Sequence, residues 1–229
     1  MIGNDIVDLA FFESPRCQHV GYLDRVCTPA ETLAVRQSKS PGLSLAIAWA
    51  SKEAAYKLFS GLVPGCHFVP RSLVTSFRGD IPAVRVQVAQ VSFGESRATI
   101  QVTVDDEWVH AIATLGASTL TRWNVRKIAV HGSLDERVRA ESVAVRCLAK
   151  ELLAETGYKG VRLEFAGKIP ALAGRPGESV AMGVSLSHHG AFVAAAIGWP
   201  GNSFGSSSVD GCRLPATTSS GEPCFTCTA

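Results

Sequence analysis

Residues 43–59 read LSLAIAWASKEAAYKLF, and this alanine-rich run contains no Gly or Pro before Gly61. Such a composition favours an α-helix that ends at a glycine. Upstream, Thr28-Pro29-Ala30-Glu31 places a hydroxyl at the N-cap, proline in the first turn and glutamate at the third position. This capping-box arrangement predicts an earlier, short helix. Pro41-Gly42 separates the two helices.

The segments on either side of these helices alternate in polarity as strands do. Residues 2–9 suit a buried strand. Downstream, alternation over residues 84–88 changes phase near Gln90, and it resumes over residues 100–104 before an apolar run at 110–115. We interpret this region as an antiparallel meander, in which the change of phase marks either a β-bulge or a turn.

A second group of elements begins after about residue 121. Val145, Leu148 and Leu152 recur at helical spacing. Short apolar strands follow, near residues 161–165, 184–186 and 192–197.

The order of elements predicts an α+β protein of two similar units, each a helix packed on an antiparallel sheet, with the active site in the cleft between them. We place the units at residues 1–120 and 121–200. Residues 201–229 are rich in Ser, Thr, Gly and Pro and are expected to form a disordered tail. We detect no residue-level repeat between the halves, so their similarity is inferred from element order alone.

The composition, 46% hydrophobic and 18% charged, is typical of a soluble globular protein. The net charge of +2 excludes the strong positive field of a dedicated nucleic-acid or anionic-membrane binder. The opening MIGNDIVDLAFF lacks the basic start and apolar run of a signal peptide. No apolar stretch approaches the roughly 20 residues needed to span a bilayer. We therefore expect a cytoplasmic protein.

The seven cysteines are odd in number and unevenly spaced, which favours free thiols over a disulfide framework. Cys224 and Cys227 form a C-x-x-C pair in the tail. A zinc site normally needs a second ligand pair, and only Cys212 lies nearby, so an incidental tail is favoured over metal binding.

One face of the helix at residues 43–59 carries charged groups that could perform chemistry. Trp49, Glu53 and Lys57 are spaced by four and line one stripe, with Lys52 and Tyr56 beside it. An acid is therefore flanked by bases. The pattern has two interpretations, a solvated face with a Glu–Lys pair or a face that binds a ligand.

Asp5, on the first predicted strand, gives the second interpretation more weight. If Asp5 and Glu53 meet, their carboxylates repel each other unless a cation lies between them. Mg²⁺ suits that position, because it takes one or two protein carboxylates and binds substrate phosphates through its remaining positions. Neighbouring lysines would face the same phosphates as point charges. The alternative is that Asp5 is an ordinary residue at a strand end.

Residues 185–190, SLSHHG, lie between two strand-like runs, which predicts a turn at His188. The two adjacent histidines cannot face the same way on a strand. His188 can donate to a phosphate oxygen, and Gly190 would let a ligand approach the backbone closely, whereas the alternative is a surface histidine. Lys168 and Arg175 each place a base in a Gly- and Pro-constrained turn. Either is a phosphate contact or part of a solvated loop.

Three separated motifs resemble the 4'-phosphopantetheinyl transferase superfamily. Residues 2–9, IGNDIVDL, resemble the opening of holo-acyl-carrier-protein synthases. Residues 49–57 match the W-x-x-K-E-x-x-x-K signature, and residues 185–190 resemble the S-x-S-H-x-G turn. The helix start at residues 28–31 is also seen in this family. The resemblance covers most of residues 1–200.

The resemblance implies that Asp5 and Glu53 hold Mg²⁺ against the diphosphate of coenzyme A. It also implies that Glu53 helps to remove the proton of the acceptor serine, directly or through a water. Lys57 would stabilise charge on the diphosphate, and Lys52 would support the phosphates. Trp49 would pack under the site.

The second half of the chain would bind the nucleotide. His188 would contact the 3'-phosphate of coenzyme A. The usual G-K-P lysine of the family has two candidate replacements. Lys168 follows a glycine but has an extra residue before proline, whereas Arg175 sits in a true G-R-P.

The activity that the resemblance implies is transfer of 4'-phosphopantetheine from coenzyme A to a serine of an apo acyl or peptidyl carrier protein, with release of adenosine 3',5'-bisphosphate. This holo-[acyl-carrier-protein] synthase activity serves fatty acid, polyketide or nonribosomal peptide synthesis. One alternative is a non-catalytic module of the same ancestry that binds coenzyme A or a carrier. Another is an unrelated α+β enzyme that acts on a different phosphate ester.

Carrier helices are usually acidic in this family's partners. Four basic side chains are candidate carrier contacts, although a solvated basic face would explain them equally well: Arg16, Arg25, Arg36 and Lys39.

The chain departs from the family pattern in two ways. The compact synthases trimerise from one short unit, whereas this chain looks like two units and is expected to be a monomer. In the two-unit surfactin-type enzymes the histidine half comes first, and here the order is exchanged.

Some of those enzymes carry an acid two residues after the first aspartate, where this chain has Val7. Asp8 would face the opposite side of an extended strand, so water is expected at that coordination position.

Overall fold

The computed structural model of the chain describes residues 1–17, 19–63, 66–77, 86–116, 119–129, 132–158, 160–166, 169–175 and 180–201. The predicted disordered tail, apart from Gly201, lies outside these residues, as do Val84 and Lys168.

The first part of the chain contains one strand, four helices and a four-strand meander. The helices follow the first strand: β1 (Ile2–Asp8), α1 (Leu9–Phe12), α2 (Val20–Val26), α3 (Pro29–Gln37) and α4 (Pro41–Ser60). A 3-10 turn (Pro70–Ser72) leads into β2 (Val74–Phe77), β3 (Val86–Phe93), β4 (Ser96–Val104) and β5 (Trp108–Thr114). Helix α3 begins at the predicted capping box, in which Thr28 accepts from Glu31 N and Glu31 accepts from Thr28 N. Pro41 stands in the first turn of α4, where proline is tolerated.

The strands form one antiparallel sheet in the order β1-β5-β4-β3-β2. This arrangement contains the predicted meander. The expected irregularity at Gln90 is wrong, because β3 pairs with β4 from Val86 to Phe93 without an inserted residue. Ala89 and Val91 point into the core, so the apparent change of phase does not interrupt the strand.

The second part of the chain packs one long helix on a smaller sheet. Strand β6 (Thr119–Lys127) precedes α5 (Leu134–Glu155), which is followed by β7 (Arg162–Ala166), β8 (Ile169–Ala173), β9 (Gly183–His189) and β10 (Phe192–Pro200). Strands β6, β10 and β9 form a three-stranded antiparallel sheet, and β7 and β8 form a hairpin. The predicted mixture of helices and antiparallel strands is confirmed. The similarity of the two units remains a prediction.

Strand β1 is covered on both faces, which explains why nearly all its residues are buried. Val7 belongs to the core beneath α4, whereas Ile6 packs against Phe192 and Ala194 of β10. Ile2 packs against Ala196 of the same strand. The strand that carries Asp5 therefore contacts both parts of the chain.

Helix α4 is buried along most of its length because its alanines let the neighbouring elements approach closely. Three of the described cysteines, Cys17, Cys27 and Cys66, are free thiols, as predicted. None of the helices in the described ranges combines the length and apolar character needed to cross a membrane.

Gly3 allows the closest approach between β1 and α4. A Cβ at this position would lie 2.0 Å from Ala54 O and 2.8 Å from Leu58 N. Both are backbone atoms, so neither can rotate away. We expect Gly3→Ala to lower the free energy of unfolding by about 1–3 kcal/mol or more, measured by chemical denaturation.

Gly116→Ala is the matched control, because a Cβ there meets nothing within 4 Å. Its effect should stay within about 0.5 kcal/mol. Equal losses in the two variants would contradict the close packing of α4 on β1.

Candidate active site

Asp5 and Glu53 meet where α4 crosses β1. Asp5 is only 2% exposed, and its carboxyl lies close enough to the half-buried Glu53 carboxyl for the two to interact. Burial raises the pKa of Asp5 well above its usual range; the charge of Lys57 opposes the rise, and the charge of Glu53 adds to it. Asp5 Oδ2 is buried, and no hydrogen-bond donor reaches it from the part of the chain that the structure describes. When both acids are ionised, the pair is therefore short of positive charge.

Lys57 supplies part of that charge. Its Nζ lies 2.8 Å from Asp5 Oδ1 and 3.0 Å from Asn4 O. The side chain is partly exposed, and the ammonium has three protons, so one remains for another acceptor. Lys57 can thus pair with the acid and still donate to an anionic ligand.

An aromatic cluster lies beside the acid pair. The Trp49 ring stands 6.3 Å from the rings of both Phe12 and Tyr22, and 5.7 Å from that of Phe68. Because Trp49 is one turn before Glu53 on α4, the cluster supports the helix at the position that presents the acid. This agrees with the predicted stripe of residues 49, 53 and 57.

The carboxylate oxygens of Asp5 and Glu53 suit a hard divalent cation that takes its further ligands from the substrate. Within the described ranges, no group of three or more His, Cys, Asp or Glu side chains could hold a metal. Val7 is buried in the core, and Asp8 accepts from Ala10 N as the N-cap of α1. Two carboxylates with an orphaned oxygen fit Mg²⁺, which keeps waters and takes phosphate oxygens at its other positions.

Lys52 does not take the predicted phosphate-supporting position. Its side chain is completely buried, and Nζ donates to Val26 O at 2.9 Å, Glu31 Oε2 at 2.7 Å and Pro70 O at 3.1 Å. All three ammonium protons are used inside the protein, so none is left for a phosphate.

The partner of Lys52 is the capping-box glutamate of α3. Glu31 Oε1 also accepts from Thr75 N at 2.8 Å, and Oε2 accepts from Thr28 N at 2.7 Å. This network joins α3 and α4 to the start of β2. The sequence indicated Glu31 as a helix cap, but not as the partner of a buried lysine.

His188 lies within β9 rather than in a turn, which corrects the sequence prediction. The turn follows at Gly190, whose φ is +59°. His188 is 52% exposed, and its Nδ1 lies 3.1 Å from Glu141 Oε2 of α5. His189 faces the other way, as expected for adjacent strand residues, and its Nδ1 accepts from Asp8 N at 3.1 Å.

The other predicted contacts of the second half are only partly described. Gly190 admits the Asp8 side chain rather than a ligand, because a Cβ there would lie 2.2 Å from Asp8 Oδ2. Arg175 follows β8 on the surface, and its side chain runs beside Gly160. Lys168 lies outside the described residues.

A comparison with protein-family models finds a match for the part of the chain that contains Asp5 and Glu53. The model of the 4'-phosphopantetheinyl transferase superfamily matches residues 1–113. Residues 1–113 therefore belong to that superfamily. No curated protein matches the chain. The match includes Asp5, Glu53 and Lys57, and it ends before His188.

This superfamily member has two further polar residues near the acids that sequence reasoning missed. Buried Asn4 contacts His110, with 3.2 Å between Nδ2 and Nε2. Burial, with the nearby charge of Lys57, lowers the pKa of His110 to about 3, so the ring stays neutral. His110 lies in an apolar strand pattern outside the motifs, and Asn4 lies in the motif of residues 2–9, which did not indicate a contact with His110.

Tyr22 is a third residue that the sequence did not indicate. Burial, with Cys17 and Glu53 adding to the effect, raises the pKa of Tyr22 to about 12. The hydroxyl therefore stays protonated near Glu53 and can act only as a neutral hydrogen-bonding group there.

The role of Lys52 in this superfamily member can be tested by removing its charge. Lys52→Met should lower the free energy of unfolding by about 3–5 kcal/mol, because it leaves Glu31 buried without its partner. Chemical denaturation measures the loss. The exposed Lys39→Met is the matched control, and we expect a change within about 0.5 kcal/mol. A stable Lys52→Met protein with weakened coenzyme A binding would instead support a phosphate contact.

The raised pKa of Asp5 predicts a gain of stability when its charge is removed. Because the folded-state pKa lies above the ordinary value of 3.8, burial of the Asp5 carboxyl costs folding free energy once the pH exceeds 3.8, where the unfolded chain releases this proton more readily than the folded one. Asp5→Asn should therefore stabilise the metal-free protein at neutral pH. The gain should be absent below pH 3.8, should grow as the pH rises from 3.8 to the folded-state pKa, and should stay constant above that pKa.

Denaturation in a chelator at several pH values measures this gain. Asp24→Asn, on an exposed position of α2, is the control and should change the free energy of unfolding by less than about 0.5 kcal/mol. A loss of stability at neutral pH in Asp5→Asn would contradict the unfavourable burial of the carboxylate.

Proposed function

We propose that this protein transfers the 4'-phosphopantetheine group of coenzyme A to a serine of an apo acyl or peptidyl carrier protein and releases adenosine 3',5'-bisphosphate. The observation that carries the proposal is the buried Asp5–Glu53 pair with Lys57 beside it, in residues that belong to the 4'-phosphopantetheinyl transferase superfamily.

Asp5 and Glu53 would hold Mg²⁺, which when bound neutralises charge on the diphosphate of coenzyme A. The orphaned Oδ2 of Asp5 and the raised pKa of its carboxyl support this assignment, since both indicate missing positive charge. Lys57 would bind a diphosphate oxygen with its remaining proton while its contacts to Asp5 and Asn4 hold it in place.

The serine oxygen would attack the phosphorus that bears the pantetheine arm. The bond from that phosphorus to the bridging oxygen breaks, and the electron pair leaves with adenosine 3',5'-bisphosphate. The serine proton passes to Glu53, directly or through a water. Glu53 suits this role because it is more exposed than Asp5 and can meet the acceptor. Most of the acceleration would come from positioning and charge neutralisation.

The nucleotide would lie against the second part of the chain. His188 is exposed, and a contact between its Nδ1 and Glu141 leaves Nε2 toward solvent, where it would meet the 3'-phosphate. Because β9 lies alongside β1, this histidine is on the sheet next to the acids. We assign the cleft between the two parts, residues 1–120 and 121–200, as the binding site of a monomeric enzyme, with Lys168 or Arg175 as a further phosphate contact.

Intact-mass measurement tests the proposal. The protein is incubated with coenzyme A, Mg²⁺ and a panel of apo carriers from fatty acid, polyketide and nonribosomal peptide synthesis. We expect at least one carrier to gain the mass of phosphopantetheine, and the gain to disappear in a chelator. If folded protein binds coenzyme A but modifies no carrier, a non-catalytic module is indicated.

Glu53→Gln should reduce transfer by about 10²–10⁴-fold while the protein remains folded, because the amide cannot accept the serine proton. The matched control is Glu151→Gln, on the exposed face of α5, which should transfer at the normal rate. Full activity in Glu53→Gln would remove the assigned role of Glu53.

A further inference from the structure

The outer edge of β1 has backbone groups that its own sheet does not satisfy. Among the described strands, β1 is the last strand of the five-stranded sheet and pairs with β5 alone. In an antiparallel pair, alternate residues point their N–H groups away from the partner strand. Asn4 and Asp8 are such residues, and their N–H groups donate to side chains of β9.

Side chains of β9 take the place of a neighbouring strand along this edge. Asn4 N donates to Ser185 Oγ at 2.9 Å, and Asp8 N donates to His189 Nδ1 at 3.1 Å. Both pairs have a sequence offset of 181 residues, so β9 runs parallel to β1. Ser187 stands at the same offset from Ile6 and on the same face as Ser185 and His189. Two of these three side chains, Ser185 and His189, accept from edge amides, whereas Ser187 Oγ is buried without a hydrogen-bond partner among the described residues.

His189 has its ring orientation and tautomer fixed by its surroundings. Because Nδ1 accepts the Asp8 N–H, the proton of the neutral ring resides on Nε2. The ring packs against Phe11 at 5.1 Å and Phe12 at 6.0 Å between centroids. Gly190 then lets the backbone approach the Asp8 side chain to a distance that a Cβ would prevent.

We propose that His189 is a positioning residue that acts through the backbone of Asp8. Together with Ser185 it fixes β1, and hence Asp5, against the sheet that carries His188. Its effect on catalysis rests on the proposed function, whereas its effect on the edge of β1 does not.

Two amide substitutions separate this role from a direct contact with substrate. The side-chain oxygen of His189→Asn can occupy the position of Nδ1 and accept from Asp8 N. The longer His189→Gln places its amide near the position of Nε2 and leaves Asp8 N without an acceptor. If His189 acts by positioning, His189→Asn should keep its function, because the Asn oxygen replaces Nδ1. If His189 contacts a ligand through Nε2, His189→Gln should keep it instead.

Amide hydrogen exchange, followed by NMR without substrate, is the first measurement. We expect the Asp8 N–H to exchange about tenfold faster in His189→Gln than in the unmodified protein, and at a nearly normal rate in His189→Asn. His188→Asn is the matched control, because it changes the neighbouring histidine on the opposite face and should leave Asp8 exchange unchanged.

Transfer kinetics give the second measurement. His189→Gln should lower kcat about tenfold with little change in the KM for the carrier, and His189→Asn should restore kcat. His188→Asn should instead raise the KM for coenzyme A. If His189→Gln retains activity and His189→Asn loses it, His189 contacts the substrate through Nε2 and the proposal is wrong.

The two proposals can fail separately. If the unmodified protein transfers nothing to any carrier, the proposed function fails, and the exchange rates still decide the role of His189. Equal Asp8 exchange in the Asn and Gln variants would overturn that role. If either variant is too unstable for exchange measurements, denaturation replaces them: His189→Asn should be the more stable, and equal stability would also overturn the proposal.

Discussion

The buried carboxylate of Asp5, held beside a second carboxylate, is the constraint on which the rest of the site depends. Burial and Glu53 both disfavour the charged form, and Lys57 offsets them only in part. Asp5 Oδ2 has no hydrogen-bond donor among the described residues. Such an arrangement lowers the stability of the metal-free protein, and proteins keep groups of this kind where a ligand supplies what is missing. The surrounding elements must therefore hold β1 and α4 together against the repulsion of the two acids.

The two lysines of the α4 motif differ in burial, and this difference gives one a structural role and leaves the other able to contact a ligand. Lys52 is fully buried with three acceptors, so its charge is satisfied and it ties α4 to α3 and the start of β2. Lys57, further along the helix, is partly exposed and has two acceptors. Only Lys57 can exchange an internal contact for one with a ligand. The Lys52–Glu31 network stabilises the helix that presents Glu53 and Lys57.

The second part of the chain supports the same strand from its other side. Ser185 and His189 accept from two edge amides of β1, those of Asn4 and Asp8, while His188 faces away toward Glu141 and solvent. The two faces of β9 therefore make different contacts, one with β1 and the other with α5 and solvent. An open strand edge would otherwise leave buried donors without acceptors, which is costly. The contact also means that Asp5 and His188 are carried by directly connected strands.

The sequence by itself determined the elements and the residues of the acid pair. The capping box at Thr28, the alanine-rich helix and the alternating strands follow from local composition and period, and Asp5, Glu53 and Lys57 follow from the family motifs. Only the tertiary structure decided which charged groups are buried. Lys52 depends on carbonyls of Val26 and Pro70, and the face of His189 depends on an amide 181 residues away. Periodicity shows which side chains share a face, but the hydrogen-bond partners that make a buried charge or an open edge stable come from distant segments.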